Sequence, residues 1–356
     1  MGPARTRRLR RAVRRRRGTG GDQVVVILDL VRMVGSLAEG ATGTMTIGSA
    51  IEFDLVQRWC ERTGNTLITK SWTDVGPGAV VVRRGRLPDP AVALGPDRLP
   101  GARLWLYTNF HCNLACDYCC VASSPRAERR ELGVERIARL VRAGADWGVQ
   151  EVYLTGGEPF LLPDIARIVT DCVRILPTTL LTNGMLFRGP GLRSLQAMPR
   201  EGFALQISLD SPTPEIHDGH RGAGSWARAV AGIQVALGEG FRVRAAATIA
   251  SPHATDLAAL RDFLDGLGIP RTDQVIRPVA QQGAAITGVQ FTRETLVPEV
   301  TVTADGVYWH PVAATDDQAL VSTQIEPLGP ALSEVYRLFA EQWAAAGAAA
   351  RLFPCA

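Results

Sequence analysis

The sequence predicts an α/β protein built on a six-strand partial (β/α)6 barrel, with a small αβαββ unit before it and a short α+β extension after it. Three observations carry this. From residue 103 onward, strand-like runs and helical periods alternate six times. The strand-like runs are almost continuously apolar, the pattern of parallel strands covered on both faces. Residues 86–102 are rich in proline and glycine, which disfavours helix and central strand alike and marks a linker between the two regions.

Composition sets the outer limits. With 356 residues, 46% hydrophobic and 21% charged, the chain has ample material for a globular core and is neither fibrous nor disordered overall. No apolar run reaches the roughly 18 residues that span a bilayer, and the N-terminus lacks the apolar stretch of a secretory signal, so a cytoplasmic protein with no membrane partner is expected. Seven cysteines, an odd number, with three packed into eight residues, argue for a reducing compartment rather than a disulfide framework. The first 17 residues carry nine arginines and no acid, and without them the net charge of +4 becomes −5. Residues 1–22 therefore read as an Arg-rich disordered tail, and the acidic remainder argues against a nucleic-acid partner.

Residues 23–85 form the first unit. Helical spacing runs from Val24 to Leu37, a strand from Thr44 to Gly48, and a helix from Ile51 to Gly64 with Phe53, Val56, Trp59 and Cys60 on one face. Strands follow at Thr66–Trp72 and Ala79–Arg83, with Asp74–Gly78 as the turn. The run Asp54-Leu-Val-Gln-Arg-Trp-Cys60-Glu-Arg-Thr-Gly64-Asn, with the strands around it, resembles the TusA-like sulfur-carrier family, whose fold is βαβαββ. That family's active cysteine belongs to a Cys-Pro pair before the first helix, a place held here by Gly18–Gln23 with no cysteine. The fold is expected without the persulfide chemistry, and Cys60, on the apolar side of its helix, reads as an inert buried thiol.

Past the linker come strand-like runs at Leu104–Thr108, Glu151–Thr155, Thr178–Thr182, Ala204–Leu209, Arg242–Ile249 and Gln274–Ile276. Between them lie helical periods, such as Ile137, Leu140, Val141 and Trp147, or Leu257, Leu260, Phe263, Leu264 and Leu267. In a TIM-like arrangement chemistry collects at the C-terminal ends of the strands. The first strand runs into Cys112, Cys116 and Cys119, spaced C-x3-C-x2-C. Such a loop can hold three corners of a cubane iron–sulfur cluster and leaves the fourth iron open to a small molecule. The competing reading is a structural zinc loop or three unrelated thiols. The second strand ends in Gly156-Gly157-Glu158-Pro159, where glycines permit close backbone approach and a carboxylate can accept from an ammonium. The later strands end at Asn183, at Ser208-Leu-Asp210, near Thr248, and at Arg277-Pro278.

Taken together, the cysteine loop with Tyr118 before its last thiol, and the Gly-Gly-Glu-Pro run at the next strand end, resemble the radical S-adenosylmethionine (SAM) enzymes over residues 103–290. The resemblance implies one [4Fe–4S] cluster on Cys112, Cys116 and Cys119, with SAM chelated by the open iron. It further implies Tyr118 near the adenine, Gly156, Gly157 and Glu158 at the methionyl amine, and Ser208 and Arg221 at the carboxylate. Asn183 and Asp210 would make polar contacts to the nucleoside or serve as caps. Cys120 reads as a bystander. An external reductant such as a ferredoxin or flavodoxin would be a partner.

The stretch from Pro278 to Ala284 resembles the SPASM or twitch branch, which acts on peptides and proteins. A hairpin with an Asp305-Gly306 turn follows, and a helix over 330–346 would cap the barrel. The cysteine that branch carries after the hairpin is missing; His310-Pro311 stands near its place, and only Cys355 remains, so residues 291–356 read as a degenerate extension without a second cluster. His310 reads as structural. The expected function is a radical SAM enzyme abstracting hydrogen from a peptide or protein side chain. The alternatives are a small metabolite, sulfur insertion with a sulfur-carrier partner at residues 23–85, and an iron–sulfur carrier or redox sensor.

Overall fold

The computed structural model describes residues 26, 29–30, 33–34, 37, 40–63, 65–69, 78–85, 100–249 and 254–352. The expected tail at 1–22, residues 74–77 of the first turn, the linker as far as residue 99, and Cys355 lie outside the described residues. The chain divides into two compact units, one within residues 1–93 and 343–356 and the other within 94–342.

In the first unit, β1 (Thr42–Ile47), α1 (Ala50–Thr63), β2 (Thr66–Leu67) and β3 (Gly78–Arg83) follow in order, and the strands form an antiparallel sheet ordered β1-β3-β2. The register pairs Thr42 with Arg83 on one side of β3 and Leu67 with Val82 on the other. On α1 the i, i+4 pair Val56 and Cys60 faces inward and packs with Ile47, Val80, Val82, Val26, Leu30 and Val34. The strand expected over 66–72 is described as strand only at Thr66–Leu67, although Ile68 N–H still donates to Val81 O at 2.8 Å.

The second unit is a mostly parallel sheet with helical crossovers. Strands β4 (Arg103–Tyr107), β5 (Glu151–Thr155), β6 (Thr178–Thr182), β7 (Phe203–Ser208), β8 (Arg242–Ile249) and β9 (Gln274–Pro278) lie side by side in sequence order. Helices α2 (Val134–Trp147), α3 (Ile165–Val173), α4 (Pro190–Gln196), α5 (Pro214–Arg221), α6 (Ser225–Gly238) and α7 (Ala254–Gly266) fall between them. The register places Leu104, Leu106, Val152, Leu154, Leu180, Leu205, Ile207 and Val243 on one face, all buried. Helix α2 buries Ile137, Leu140, Val141 and Gly144, and a Cβ added at Gly144 would lie 3.1 Å from Leu104, so helix and apolar face meet without a gap.

The opposite face is polar and aromatic: Arg103, Trp105 and Tyr107 from β4, Glu151 and Tyr153 from β5, Thr179, Gln206, and Arg242 and Arg244 from β8. Arg244 Nη1 donates to Tyr153 OH at 3.1 Å although β6 and β7 separate their strands. In a flat sheet three strand spacings would hold them roughly 14 Å apart. The sheet therefore curls with this face inside, consistent with a partial barrel, and twist makes such curling the low-energy course for parallel strands. Trp105 stacks on Tyr153 at 4.3 Å on the same face.

The C-terminal segment does not form a separate layer. Its strands β10 (Thr301–Val302), β11 (Val307–Tyr308) and β12 (Leu320–Ser322) extend the central sheet beyond β4, and β10 pairs with β4 in parallel, Thr301 opposite Trp105. The Asp305-Gly306 turn forms as expected, with Thr303 N–H donating to Gly306 O at 2.9 Å. Helix α8 (Leu328–Leu352) starts two residues earlier than its periodicity suggests. Its Leu332 and Tyr336 approach Gly101, and Tyr336 meets Trp147 at 5.0 Å, so it covers the end of the sheet where β4 begins. Among the described residues no helix is long and apolar enough to cross a membrane.

Candidate metal and cofactor site

The cysteine loop leaves β4 at Tyr107 and is stitched to the neighbouring strand ends before it reaches its first thiol. Gly157 N–H donates to Asn109 O at 2.9 Å and Glu158 N–H to His111 O at 3.0 Å, while the Asn109 amide donates to His111 O and Glu158 O, each at 3.0 Å. A Cβ on Gly157 would lie 2.2 Å from His111 O, and one on Gly156 would lie 2.6 Å from Asn109 O. The space the two glycines leave is thus taken by the backbone of the cysteine loop, a tighter demand than the ligand approach expected from sequence.

Glu158 is fully buried. Its Oε1 accepts from Phe160 N–H at 3.0 Å and Thr182 Oγ1 at 2.7 Å, and its Oε2 accepts from Asn183 N–H at 2.8 Å. Burial raises its carboxyl above the ordinary glutamate range, against the pull of these three neutral donors. It ties the end of β5 to the end of β6. Asn183 continues the chain of contacts, its amide donating to Asn113 Oδ1 inside the cysteine loop at 2.8 Å and its Oδ1 accepting from Met185 N–H at 3.0 Å.

A second knot holds the other end of the loop. Asp210, buried two residues beyond β7, receives Arg221 through Nε at 2.6 Å and Nη2 at 3.1 Å, Thr248 N–H at 3.0 Å, and the hydroxyl of Tyr118. Burial pushes this carboxyl up, but the Arg221 charge and these bonds hold it below the ordinary aspartate range. Burial also raises Tyr118 far above the usual phenol range, so it stays a donor. His217 accepts from Asp210 N–H at Nδ1, 3.2 Å, and burial keeps its ring neutral with a pKa lowered to about 4. His220 meets the Asp117 carboxylate at 3.0 Å and its carbonyl accepts from Asp117 N–H, so the end of α5 is fastened to the loop between Cys116 and Tyr118. Ser208, half-buried, ends β7 on the concave side. Arg221 also lines a cavity of about 270 Å³ with Asn113, Leu114, Met185, Arg188 and Arg228.

Between these knots lie the three thiols. Cys112 Sγ accepts from Leu114 N–H and Cys119 Sγ from Ser123 N–H, both at 3.3 Å, and Cys119 N–H donates to Cys116 O at 3.2 Å. Burial pushes the free Cys112 thiol up to about 12 and Cys116 up to about 11, the latter against the pull of Arg221. A thiolate here calls for a bound cation, and amide donors aimed at sulfur are what a cluster thiolate needs. Among the described residues no three His, Cys, Asp or Glu side chains are already gathered around a point that could hold a metal ion. A cubane takes one thiolate per iron and accepts a wider spread. The donor set fits a three-cysteine cluster.

Three residues escaped sequence reasoning. Asn113 and Thr182 bind the two motifs to each other, and their signal was their position: one follows Cys112, the other precedes Asn183. Tyr107 donates to Pro311 O at 2.8 Å, a tie to the C-terminal segment that no local pattern announces. Cys120 is half-buried beside Tyr107, and a Cβ on Gly283 would lie 2.4 Å from Cys119 O, so the loop after β9 packs on the cysteine loop. His310 accepts from Val312 N–H at 3.2 Å and caps the turn at Pro311–Ala313. Burial lowers its pKa to about 4, leaving it a neutral cap.

Comparison with known proteins shows what the chain is similar to. Residues 106–262 match the family model of the Radical SAM superfamily. The chain is 31% identical over 159 residues to the antilisterial bacteriocin subtilosin biosynthesis protein AlbA of Bacillus subtilis (strain 168), covering 44% of this chain and 35% of AlbA. It is 36% identical over 140 residues to a GTP 3',8-cyclase of Microcystis aeruginosa (strain NIES-843 / IAM M-2473), covering 36% of this chain and 42% of the cyclase. The chain thus spans less than half the length of these curated relatives. The structure of anSMEcpe with bound AdoMet and the Kp18Cys peptide aligns with a TM-score of 0.52 at 13% identity, over 68% of this chain and 83% of that one, a likeness of fold. The similarity to the Radical SAM superfamily thus covers residues 106–262, the part of the chain that carries the cysteine loop and the Gly156-Gly157-Glu158 run.

Proposed function

We propose that this chain is a radical SAM enzyme that abstracts hydrogen from a side chain of a peptide or protein. The observation that carries the reading is the stitching of the cysteine loop to the Gly156-Gly157-Glu158 backbone: two motifs far apart in sequence share one strand-end site, as a cofactor bound between them requires. Cys112, Cys116 and Cys119 would hold the cluster, which with SAM supplies a 5'-deoxyadenosyl radical. The chain's own residues supply placement and exclusion of water. The Gly156, Gly157 and Glu158 backbone would receive the methionyl amine, while the Glu158 carboxylate keeps that backbone in place through Phe160, Thr182 and Asn183. Tyr118, locked by Asp210 and Arg221, would lie beside the adenine. Arg221 spends two nitrogens on Asp210, and its third, with Ser208, would meet the SAM carboxylate; Asn183 and Asp210 act by positioning the loop.

The peptide class rests on AlbA's role in bacteriocin biosynthesis and on the resemblance of residues 278–284 to the SPASM or twitch branch. A small metabolite is the second reading, favoured by the GTP 3',8-cyclase match. An external low-potential reductant completes the system, and residues 23–85 recruit the substrate or a sulfur-carrying partner without sulfur transfer of their own. The test is anaerobic incubation of the reconstituted protein with SAM and dithionite. Release of 5'-deoxyadenosine and methionine is expected; its absence from protein carrying iron would refute the reading. Adding fractionated peptides and small metabolites then shows by mass spectrometry which class couples to turnover.

A further inference from the structure

The concave face carries four arginines, and three of them have carboxylates. Arg103 meets Glu299 at 3.4 Å and Glu151 at 3.8 Å, Arg242 meets Asp273 at 2.6 Å, and Arg244 meets the same Asp273 at 3.8 Å. All three sit in the lower half of the sheet, toward the N-terminal ends of the strands. The fourth is Arg277, at the C-terminal end of β9 and opposite Thr248 in the register, on the end of the sheet that bears the cysteine loop. Among the described residues it has no carboxylate partner, and its only hydrogen bond there runs from Nε to Thr248 Oγ1 at 3.4 Å. It is exposed.

The chain that leaves Arg277 runs onto the cysteine loop: a Cβ on Gly283, six residues further on, would lie 2.4 Å from Cys119 O. His310 is held neutral by burial, with the Arg277 charge adding to it. The guanidinium itself stands over the end of β8, where Thr248 is its neighbour in the register. His310 accepts from Val312 N–H at Nδ1, so in its neutral form the other ring nitrogen carries the proton and offers Arg277 no acceptor. A planar guanidinium keeps most of its five donors unspent under these conditions, and its geometric complement is a carboxylate bound through two oxygens.

We infer that Arg277 anchors a substrate carboxylate at the mouth of the concave face, which makes the substrate an acidic one. The inference deepens the proposed enzyme reading and rests on it for the word substrate, but the binding itself can be tested without turnover. A carboxylate can come from a chain terminus or from an acidic side chain. N-acetylglycine carries the first and N-acetylaspartate N-methylamide the second; N-acetylasparagine N-methylamide is the neutral control.

The experiment titrates each probe into the cluster-loaded, SAM-bound protein with 15N-labelled arginine. It follows the Nε–H resonance assigned to Arg277 by its loss in Arg277→Lys. One of the two carboxylates should shift that resonance saturably, naming the source, while the neutral amide leaves it in place. Arg277→Gln should weaken binding of that probe roughly tenfold or more, the scale of a charged paired hydrogen bond, and Arg277→Lys should restore part of it. Arg142→Gln, on the exposed side of α2, serves as the control and should bind the probe as the wild type does. Equal binding of acid and amide, an unshifted Arg277 resonance, or full affinity in Arg277→Gln would overturn the inference. Failure of the wild type to cleave SAM would strike the enzyme reading instead, and leave the carboxylate titration standing as a separate result.

Discussion

The cysteine loop of the second unit and the core of the first both place cysteine in an α/β setting, and they treat it in opposite ways. Cys60 lies among Val56, Val80, Val82 and Ile47 in an apolar core. Cys112 and Cys119 receive backbone amides at sulfur, with Glu158 behind the first and the Asp210–Arg221 pair behind the stretch from 116 to 118. Burial alone does not separate the two regions, since Cys112 is 8% exposed and Cys60 1%. What separates them is the convergence of polar groups around the thiols, which costs desolvation and is retained where chemistry needs it.

The largest test of that difference is removal of the metal ligands. Cys112, Cys116 and Cys119 changed together to Ala should take iron from about four per chain to none after anaerobic reconstitution, read by iron analysis and electron paramagnetic resonance. The same measurement on Cys60→Ala should give the wild-type value. Iron surviving the triple change, or zinc in its place, would erase the contrast.

Next come the knots behind the loop. Arg221→Ala leaves Asp210, whose side chain is 1% exposed, as an unpaired buried charge and should cost about 3–5 kcal/mol in urea unfolding of the cluster-free chain. Glu158→Ala orphans Phe160 N–H, Asn183 N–H and the Thr182 hydroxyl and should cost about 2–4 kcal/mol. If either variant unfolds at the wild-type midpoint, the polar groups are not what holds the loop.

The two carboxylates should also oppose each other in pH. Asp210 is held below its ordinary pKa, so its contribution is present above the unfolded value and lost as pH falls through the folded one. Glu158 is raised, so the folded chain binds its proton more tightly than the unfolded one. Its contribution is greatest below the unfolded pKa and declines as pH rises through the folded one. Between pH 3 and 7, Asp210→Asn should flatten the acid-side loss of stability and Glu158→Gln should remove a decline on the other side. Parallel curves for the two variants would show that their environments do not differ as the geometry says.

Much of this was legible in the sequence. Six alternating apolar runs sit within a residue or two of strands β4 to β9, because period and burial are local properties. The cysteine spacing and the Gly-Gly-Glu-Pro run likewise depend on neighbours in the chain. The pairing of Thr301 with Trp105 was not legible, since it joins residues far apart through hydrogen bonds that leave no periodic trace. The same holds for Glu158: its motif marks a strand end, but that its carboxylate faces Thr182 and Asn183 rather than open space depends on how β5 and β6 stand together. Arg277 was visible only as a charged residue at a strand end; that it has no carboxylate partner among the described residues emerges by comparison with Arg103, Arg242 and Arg244.

The smallest expected effect completes the contrast from the other side. Cys60 sits one turn after Val56 on α1, and its side chain fills the space between that helix and β3. Replacing it with Ala removes one sulfur and no charge, and the bond from Asn65 N–H to the Cys60 carbonyl, 3.0 Å, belongs to the backbone and survives. A cost of about 1 kcal/mol follows, as for deletion of one buried methyl-sized group. Uncoupled SAM cleavage and turnover on the substrate should both be unchanged. Truncation to residues 101–356 removes the whole surface around that core, and should keep SAM cleavage within a few-fold while turnover falls through a raised Michaelis constant, the signature of lost recruitment. A Cys60→Ala protein that binds its iron, cleaves SAM and yet fails to turn over would mean that the thiol reacts despite its apolar surroundings, and sulfur insertion would then replace hydrogen abstraction from a peptide as the leading function.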